Sequence, residues 1–127
     1  MSHGKIKSFT DLNAWKEGHL LVTEIYLITK SFPKEELFGL TSQIRRCAVS
    51  ITSNIAEGFS RFHNKDKLKF YYIALGSTTE LQNQLLISRD VKILKPDKFT
   101  ILAERAVTVH KLIYGLIKST QKRLHDS

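Results

Sequence analysis

The strongest constraint on the fold is a segment near the C-terminus in which apolar residues recur at spacings of three and four. Because an α-helix repeats every 3.6 residues, this spacing places them all on one helix face, whereas a strand would require a spacing of two. The segment therefore predicts a long helix over about 96–122, with Pro96 in its first turn, that packs lengthwise in a bundle. The apolar positions are Phe99, Leu102, Ala106, Val109, Ile113 and Leu116.

Three further segments show helical spacing and predict helices over about 11–31, 40–60 and 64–89, with Ile44, Ile51 and Ile55 among the periodic apolar residues of the second. Two prolines and six glycines are too few for a β-sandwich with many turns. Short loops between successive helices favour antiparallel neighbours. We therefore predict an all-α fold, an antiparallel up-down-up-down four-helix bundle formed by residues 1–127 as one domain.

Turn and capping residues set the expected helix boundaries. Thr10 and Asp11 are candidate caps for the first helix, which ends before Pro33, and Asn64 is a candidate cap for the third. Residues 32–36 form the expected loop that Gly39 closes.

Apolar residues on the first helix form two neighbouring stripes. One runs through Trp15, Val22 and Tyr26, and the other through Leu21 and Ile25. This breadth fits either a wide face toward the core or an additional surface that meets a partner.

The sequence offers few signs of catalysis, export or membrane insertion. It has no phosphate-binding glycine loop and no His-Glu-x-x-His or Gly-x-Ser-x-Gly motif, and its single cysteine, Cys47, excludes an intramolecular disulfide. We expect no cofactor, no metal, no enzymatic activity and no membrane partner, and a soluble protein in the cytoplasm. The five histidines have no companions at metal-ligand spacing: His3, His19, His63, His110 and His125.

Basic charge is unevenly distributed along the chain. The formal net charge is +8, and residues 64–127 carry twelve basic and six acidic side chains. Such a balance favours polyanionic partners, RNA or DNA above all, although a charged stripe can also serve only to solvate a helix. Aromatic residues are not interleaved with the lysines, so we expect little sequence selectivity. The candidate phosphate contacts are Arg45, Arg46, Lys65, Lys69, Lys111, Lys118 and Lys122.

A line of polar residues on the second helix is the other unusual feature. If the second and third helices form a hairpin, Ser50 would face Ala74 and Cys47 would face Ser77. Arg45 or Arg46 would similarly approach Glu80. We favour a polar network that fixes helix register over a ligand or catalytic pocket, because candidate partners exist for each group. The residues of this predicted network are Gln43, Ser50, Asn54, Glu57, Ser77 and Glu80.

Several of these motifs resemble a known bacterial family. Residues 38–46 read FGLTSQIRR, residues 50–51 read SI and residues 53–58 read SNIAEG. Residues 9–12 with Trp15, residues 73–77 and residues 80–81 add further matches. The pattern is similar to the proteins encoded in intervening sequences of 23S rRNA genes, often labelled S23 ribosomal proteins.

The resemblance is close over about residues 9–94, and the fourth helix matches by pattern alone. Thr52 stands where relatives frequently have proline, which implies a less kinked helix, and Cys47 stands where alanine is common. The resemblance implies a homo-oligomer, a pentamer, with a basic surface suited to nucleic acid. A related branch serves as an accessory protein to the reverse transcriptase of diversity-generating retroelements. An alternative function is therefore a protein-interaction scaffold or an accessory subunit.

Overall fold

The computed structural model describes residues 5–126, with the side chains of residues 5–124. Its main helices are α1 (Asn13–Thr29), α2 (Ser42–Ser60), α3 (Asn64–Asp90) and α4 (Pro96–Asp126). No strand occurs in this described range, so the all-α prediction is confirmed. The predicted boundaries agree to within two residues, except that α4 continues four residues beyond the predicted end at 122.

Contacts between the helices fit a bundle of antiparallel neighbours. Gly18, early in α1, lies against Thr52 late in α2, while Thr29 at the end of α1 bonds to Arg45 near the start of α2. α1 and α3 each pack against both α2 and α4. This order is the one that an up-down-up-down connection produces.

The core is built from the apolar residues that the sequence periodicity selected. Ile44, Ile51 and Ile55 of α2 are fully buried. On α4 the buried line ends in Ile117 and Thr120, whereas Leu116 is half-buried. A straight helix with 3.6 residues per turn drifts away from a strict heptad, which explains this shift.

The core face of α1 is narrower than its apolar sequence suggested. Leu21 and Ile25 are fully buried, but Tyr26 is 41% exposed and Leu27 is 66% exposed. The Trp15–Val22–Tyr26 line therefore borders the core, and α1 leaves apolar surface uncovered in the described chain.

The capping predictions were wrong at both helix starts. Ser8 and Asp11 form a capping box around a 3-10 turn, Phe9–Asp11, so Thr10 and Asp11 do not cap α1. His63 is the N-cap residue of α3, and Asn64 is already helical. Both errors lie within the one or two residues by which a helix start is uncertain from sequence.

The predicted loop before α2 is largely helical. A 3-10 turn, Lys34–Glu36, is followed by a π-type turn, Leu37–Thr41, in which Gly39 departs from helical geometry (φ −110°, ψ −110°). The Glu36 side chain accepts a hydrogen bond from the Leu40 amide at 3.3 Å. This turn presents Phe38 to solvent with 94% of its surface exposed.

Candidate nucleic-acid interface

Five of the predicted phosphate contacts, all exposed lysines, share the outer surface of α3 and α4. The Tyr72 hydroxyl of α3 accepts a hydrogen bond from the Gln121 side chain of α4 at 2.5 Å, which marks where the two helices meet on this side. Lys69 and Lys118 lie three residues before Tyr72 and Gln121, so they flank this bond on their two helices. Lys65, Lys111 and Lys122 continue the same two helix faces at spacings of four and seven residues. We call this surface the lysine face: Lys65, Lys69, Lys111, Lys118 and Lys122.

Cations dominate the surroundings of the lysine face. No acidic residue occurs between Arg105 and Arg123. The Lys118 ammonium lies 5.7 Å from the centre of the Tyr114 ring, within reach of a weak cation–π contact. Burial, and then the charge of Arg123, lower the pKa of Lys67 from its usual value. On α4, therefore, no carboxylate between residues 105 and 123 offsets the charge of the lysine face.

Arg45 and Arg46 lie away from the lysine face. Arg45 donates from Nε to Thr29 Oγ1 at 2.9 Å, and its guanidinium lies 4.9 Å from the centre of the Tyr26 ring. It therefore joins α2 to α1. Arg46 is exposed on the opposite side of α2, facing α3. Arg46 lines the same groove as Glu80, as predicted, but among the described side chains neither arginine forms an ion pair with it.

The polar network joins α2 to α3, but with fewer members than predicted. Ser50 Oγ lies 3.0 Å from Ser77 Oγ, and the Asn54 side chain donates to Ser50 Oγ at 3.1 Å. Ser50 thus faces Ser77 and not Ala74, because Ala74 points into the core and is fully buried. Cys47 Sγ lies 3.1 Å from the Ser77 carbonyl oxygen, as the hairpin register predicted.

Two predicted members do not join this network. Glu57 forms an ion pair with Arg61 one helical turn later, at 2.9 Å. Gln43 is exposed and makes no described hydrogen bond with the other five.

A groove of about 420 Å³ runs along the boundary between α2 and α3. Its volume lies within the range of about 300–1,000 Å³ that small-ligand sites occupy. We call it the α2–α3 groove. Its lining residues are Phe38, Ser42, Gln43, Arg46, Cys47, Ser50, Glu80 and Gln84.

The chemistry of Cys47 in this groove is that of a structural thiol. Burial, reinforced by the hydrogen bond and charge of Glu80, raises the pKa of Cys47 to about 12. Cysteines that act as nucleophiles have lowered pKa values and a positive environment. Cys47 therefore contributes packing and a weak hydrogen-bond donor.

Phe38 and Gln84 are groove residues that the sequence did not single out. Gln84 is 9% exposed, and its Oε1 atom accepts no hydrogen bond although it is covered. Sequence alone gives a weak signal for such residues, because a phenylalanine before a helix is usually taken as core. Phe38 lies in the turn over Leu37–Thr41, and this turn places it at the groove that Gln84 lines from α3.

The histidines do not cluster. His19 stacks on Trp15 with ring centres 4.7 Å apart, and His63 contacts Phe62. His3 and the side chain of His125 lie outside the described residues. Within the described part of the chain, no three His, Cys, Asp or Glu side chains form a group suited to a metal ion.

None of the described helices combines the length and the apolar character that a membrane span requires.

Comparison with known proteins agrees with the fold and with the motifs. Residues 10–115 match the family model described as 23S rRNA-intervening sequence protein. The structure also resembles that of a protein of unknown function from the S23 ribosomal protein family of Bacteroides thetaiotaomicron, with a TM-score of 0.77 and 21% sequence identity. The alignment covers 83% of this chain and 95% of the other. No curated protein sequence matches the chain.

Proposed function

Because the chain belongs to the family of 23S rRNA-intervening sequence proteins, we propose that it is a non-enzymatic, oligomeric protein that binds RNA or DNA. The observation that carries the proposal is the lysine face, where five exposed lysines lie on the joined outer surfaces of α3 and α4. Lysine side chains bind phosphates as point charges, so such a surface follows a nucleic-acid backbone without reading bases. A free, buried Cys47 suits a reducing compartment such as the cytoplasm.

Assembly into an oligomer raises the affinity for a polyanion, although each subunit carries only a modest net charge. In the described chain, apolar side chains remain exposed on α1 and α3, including Leu27, Ile73 and Ile87. Burial of this surface between subunits would favour assembly, and the family resemblance suggests a pentamer. Each subunit would then repeat the lysine face, so one long polyanion could contact several copies.

The same apolar surface supports a second candidate, a protein-interaction scaffold or an accessory subunit, for example to a reverse transcriptase. In that function Leu27, Ile73 and Ile87 would contact another protein. The charge of the lysine face would serve only to keep the protein in solution.

Titration at two salt concentrations tests the proposal and separates the two candidates. We expect a labelled duplex and a structured RNA to bind at low salt, with affinity falling steeply as salt rises, because phosphate contacts release counterions. Light scattering should give a mass several times 14.6 kDa. An absence of nucleic-acid binding at low salt would contradict the proposal and favour the scaffold, while a monomer at micromolar concentration would contradict assembly.

A further inference from the structure

The α2–α3 groove combines two charged groups that have no charged partner in the described structure. Arg46 on α2 and Glu80 on α3 line the same groove, both are exposed, and no ion pair joins them. Glu80 accepts only a weak contact from Cys47 Sγ, at 3.4 Å. The groove therefore offers a free cation and a free carboxylate to one ligand.

Two further groups define what that ligand must look like. Phe38 stands at the groove with 94% of its surface exposed, so a flat face is available beside the two charges. Gln84 lines the groove, is nine-tenths buried, and leaves its Oε1 without a hydrogen-bond donor.

We propose that the α2–α3 groove binds one unpaired guanine nucleotide of a single-stranded nucleic acid, an inference that rests on the proposed nucleic-acid binding. The guanine ring stacks on Phe38, because aromatic side chains are the usual platforms for unstacked bases. Glu80 accepts hydrogen bonds from the adjacent N1–H and N2–H donors of guanine. Arg46 pairs with the phosphate of the same nucleotide.

The carboxylate of Glu80 selects guanine among the bases. A carboxylate has only acceptors, and guanine presents two neighbouring donors on its Watson–Crick edge. Adenine and cytosine present a ring nitrogen acceptor beside their single amino group, which would repel the carboxylate. Uracil has one N–H between two carbonyl groups. The lysine face then supplies affinity for any strand, and the groove adds a preference for one base.

Oligonucleotides with a single changed base test this inference on the intact protein. We would measure the anisotropy of a labelled oligouridine that carries one central guanosine, inosine or adenosine, beside a duplex of mixed sequence. Inosine keeps N1–H and lacks the N2 amino group. We expect guanosine to bind roughly 5- to 100-fold more tightly than adenosine, as a good bidentate base contact discriminates, with inosine between them.

Two variants test whether the preference for guanosine arises in the α2–α3 groove. Glu80→Gln should abolish the guanosine preference and leave duplex binding unchanged, with Glu57→Gln as the control, since Glu57 is exposed on α2 and pairs with Arg61. Phe38→Leu should weaken every single strand and spare the duplex. Tyr26→Leu is its control, because Tyr26 is an exposed aromatic side chain on α1, outside both the groove and the lysine face.

Each outcome decides between named occupants. Equal binding of all three strands would overturn the guanine site while the proposed nucleic-acid function stands, whereas no binding of strand or duplex would remove both. A lower mass of Phe38→Leu in light scattering would assign the groove to a second copy of the chain and overturn the inference. Displacement of the strand by a free amino acid, but not by guanosine monophosphate, would assign it to a zwitterion with the same consequence.

Discussion

α3 presents two different surfaces to its neighbours. Toward α2 its half-buried Ser77 meets both Ser50 and Cys47. Toward α4 it presents solvated lysines, and the bond that joins the helices there, between Tyr72 and Gln121, is exposed. Burial therefore changes the pKa and the reactivity of groups at the contact with α2. The exposed groups near α4 behave as free side chains in water. Substitutions at the half-buried contact between Cys47, Ser50 and Ser77 should accordingly change stability and reactivity, whereas substitutions at the lysine face should change binding alone.

The two sides of α3 should differ most in the reactivity of a thiol placed on each. Because the pKa of Cys47 is raised from its ordinary value of 9.0 to about 12, its thiolate at pH 8 is depleted. We expect iodoacetamide to alkylate Cys47 about 1,000-fold more slowly than a thiol placed on the outer side of α3, since the thiolate is the reactive form. The comparison is the double variant Cys47→Ala/Gly76→Cys, because a Cβ at Gly76 meets no atom within 4 Å. Similar rates would show that the contact between α2 and α3 opens readily.

The lysine face should show the largest effect on binding. Changing Lys111, Lys118 and Lys122 together to Gln should weaken duplex and RNA binding roughly 10- to 100-fold and reduce the salt slope by about three. The three side chains are exposed, so helicity and mass should not change.

A matched triple variant separates position from total charge. Lys34, Lys95 and Lys98 are also exposed, and their replacement by Gln removes the same formal charge from the opposite end of the bundle. We expect a much smaller loss of affinity. Equal losses in the two triple variants would show that net charge, and not the lysine face, determines binding.

Two glycines should differ in the sign of their effect on the free energy of unfolding. A Cβ at Gly58 would lie 2.7 Å from Cε1 of the buried Tyr71, so Gly58→Ala should destabilise the protein by about 1–3 kcal/mol. Gly115 on α4 has open space around it, and Gly115→Ala should stabilise by about 0.5–1 kcal/mol. Urea denaturation measures both, and a stable Gly58→Ala would show that α2 and α3 can separate slightly without cost.

The two sides of α3 should differ least in the stability lost when a single hydrogen bond is removed from each. Ser50→Ala removes the half-buried bond to Ser77 and should cost about 1 kcal/mol. Tyr72→Phe removes the exposed bond to Gln121 and should change stability by less than about 0.5 kcal/mol. Thermal melts of the two variants provide the measurement. A larger loss for Tyr72→Phe would mean that the lysine face is as firmly held as the groove.

The sequence predicted the helices and their buried faces, because both depend on spacing within one segment. Ile44, Ile51 and Ile55 were selected by period alone, and all three are fully buried. It also predicted the approach of Cys47 to Ser77, since a short hairpin fixes which residues stand at the same height. Helix caps were less predictable, because Ser8 accepts a hydrogen bond from the Thr10 amide and caps a separate 3-10 turn before α1.

Relations between side chains on different helices were decided by the tertiary structure. The sequence placed Arg45 and Arg46 in one candidate set, but the rotation of α2 turns Arg45 toward Thr29 and Arg46 toward the groove. Two lysine stripes on separate helices became one surface only when α3 packed against α4. The groove likewise depends on the turn at Gly39, which places Phe38 in the same lining as Glu80 and Gln84. Spacing fixes the angle of a residue on its own helix, whereas the angle between helices is set by the packing of all four together.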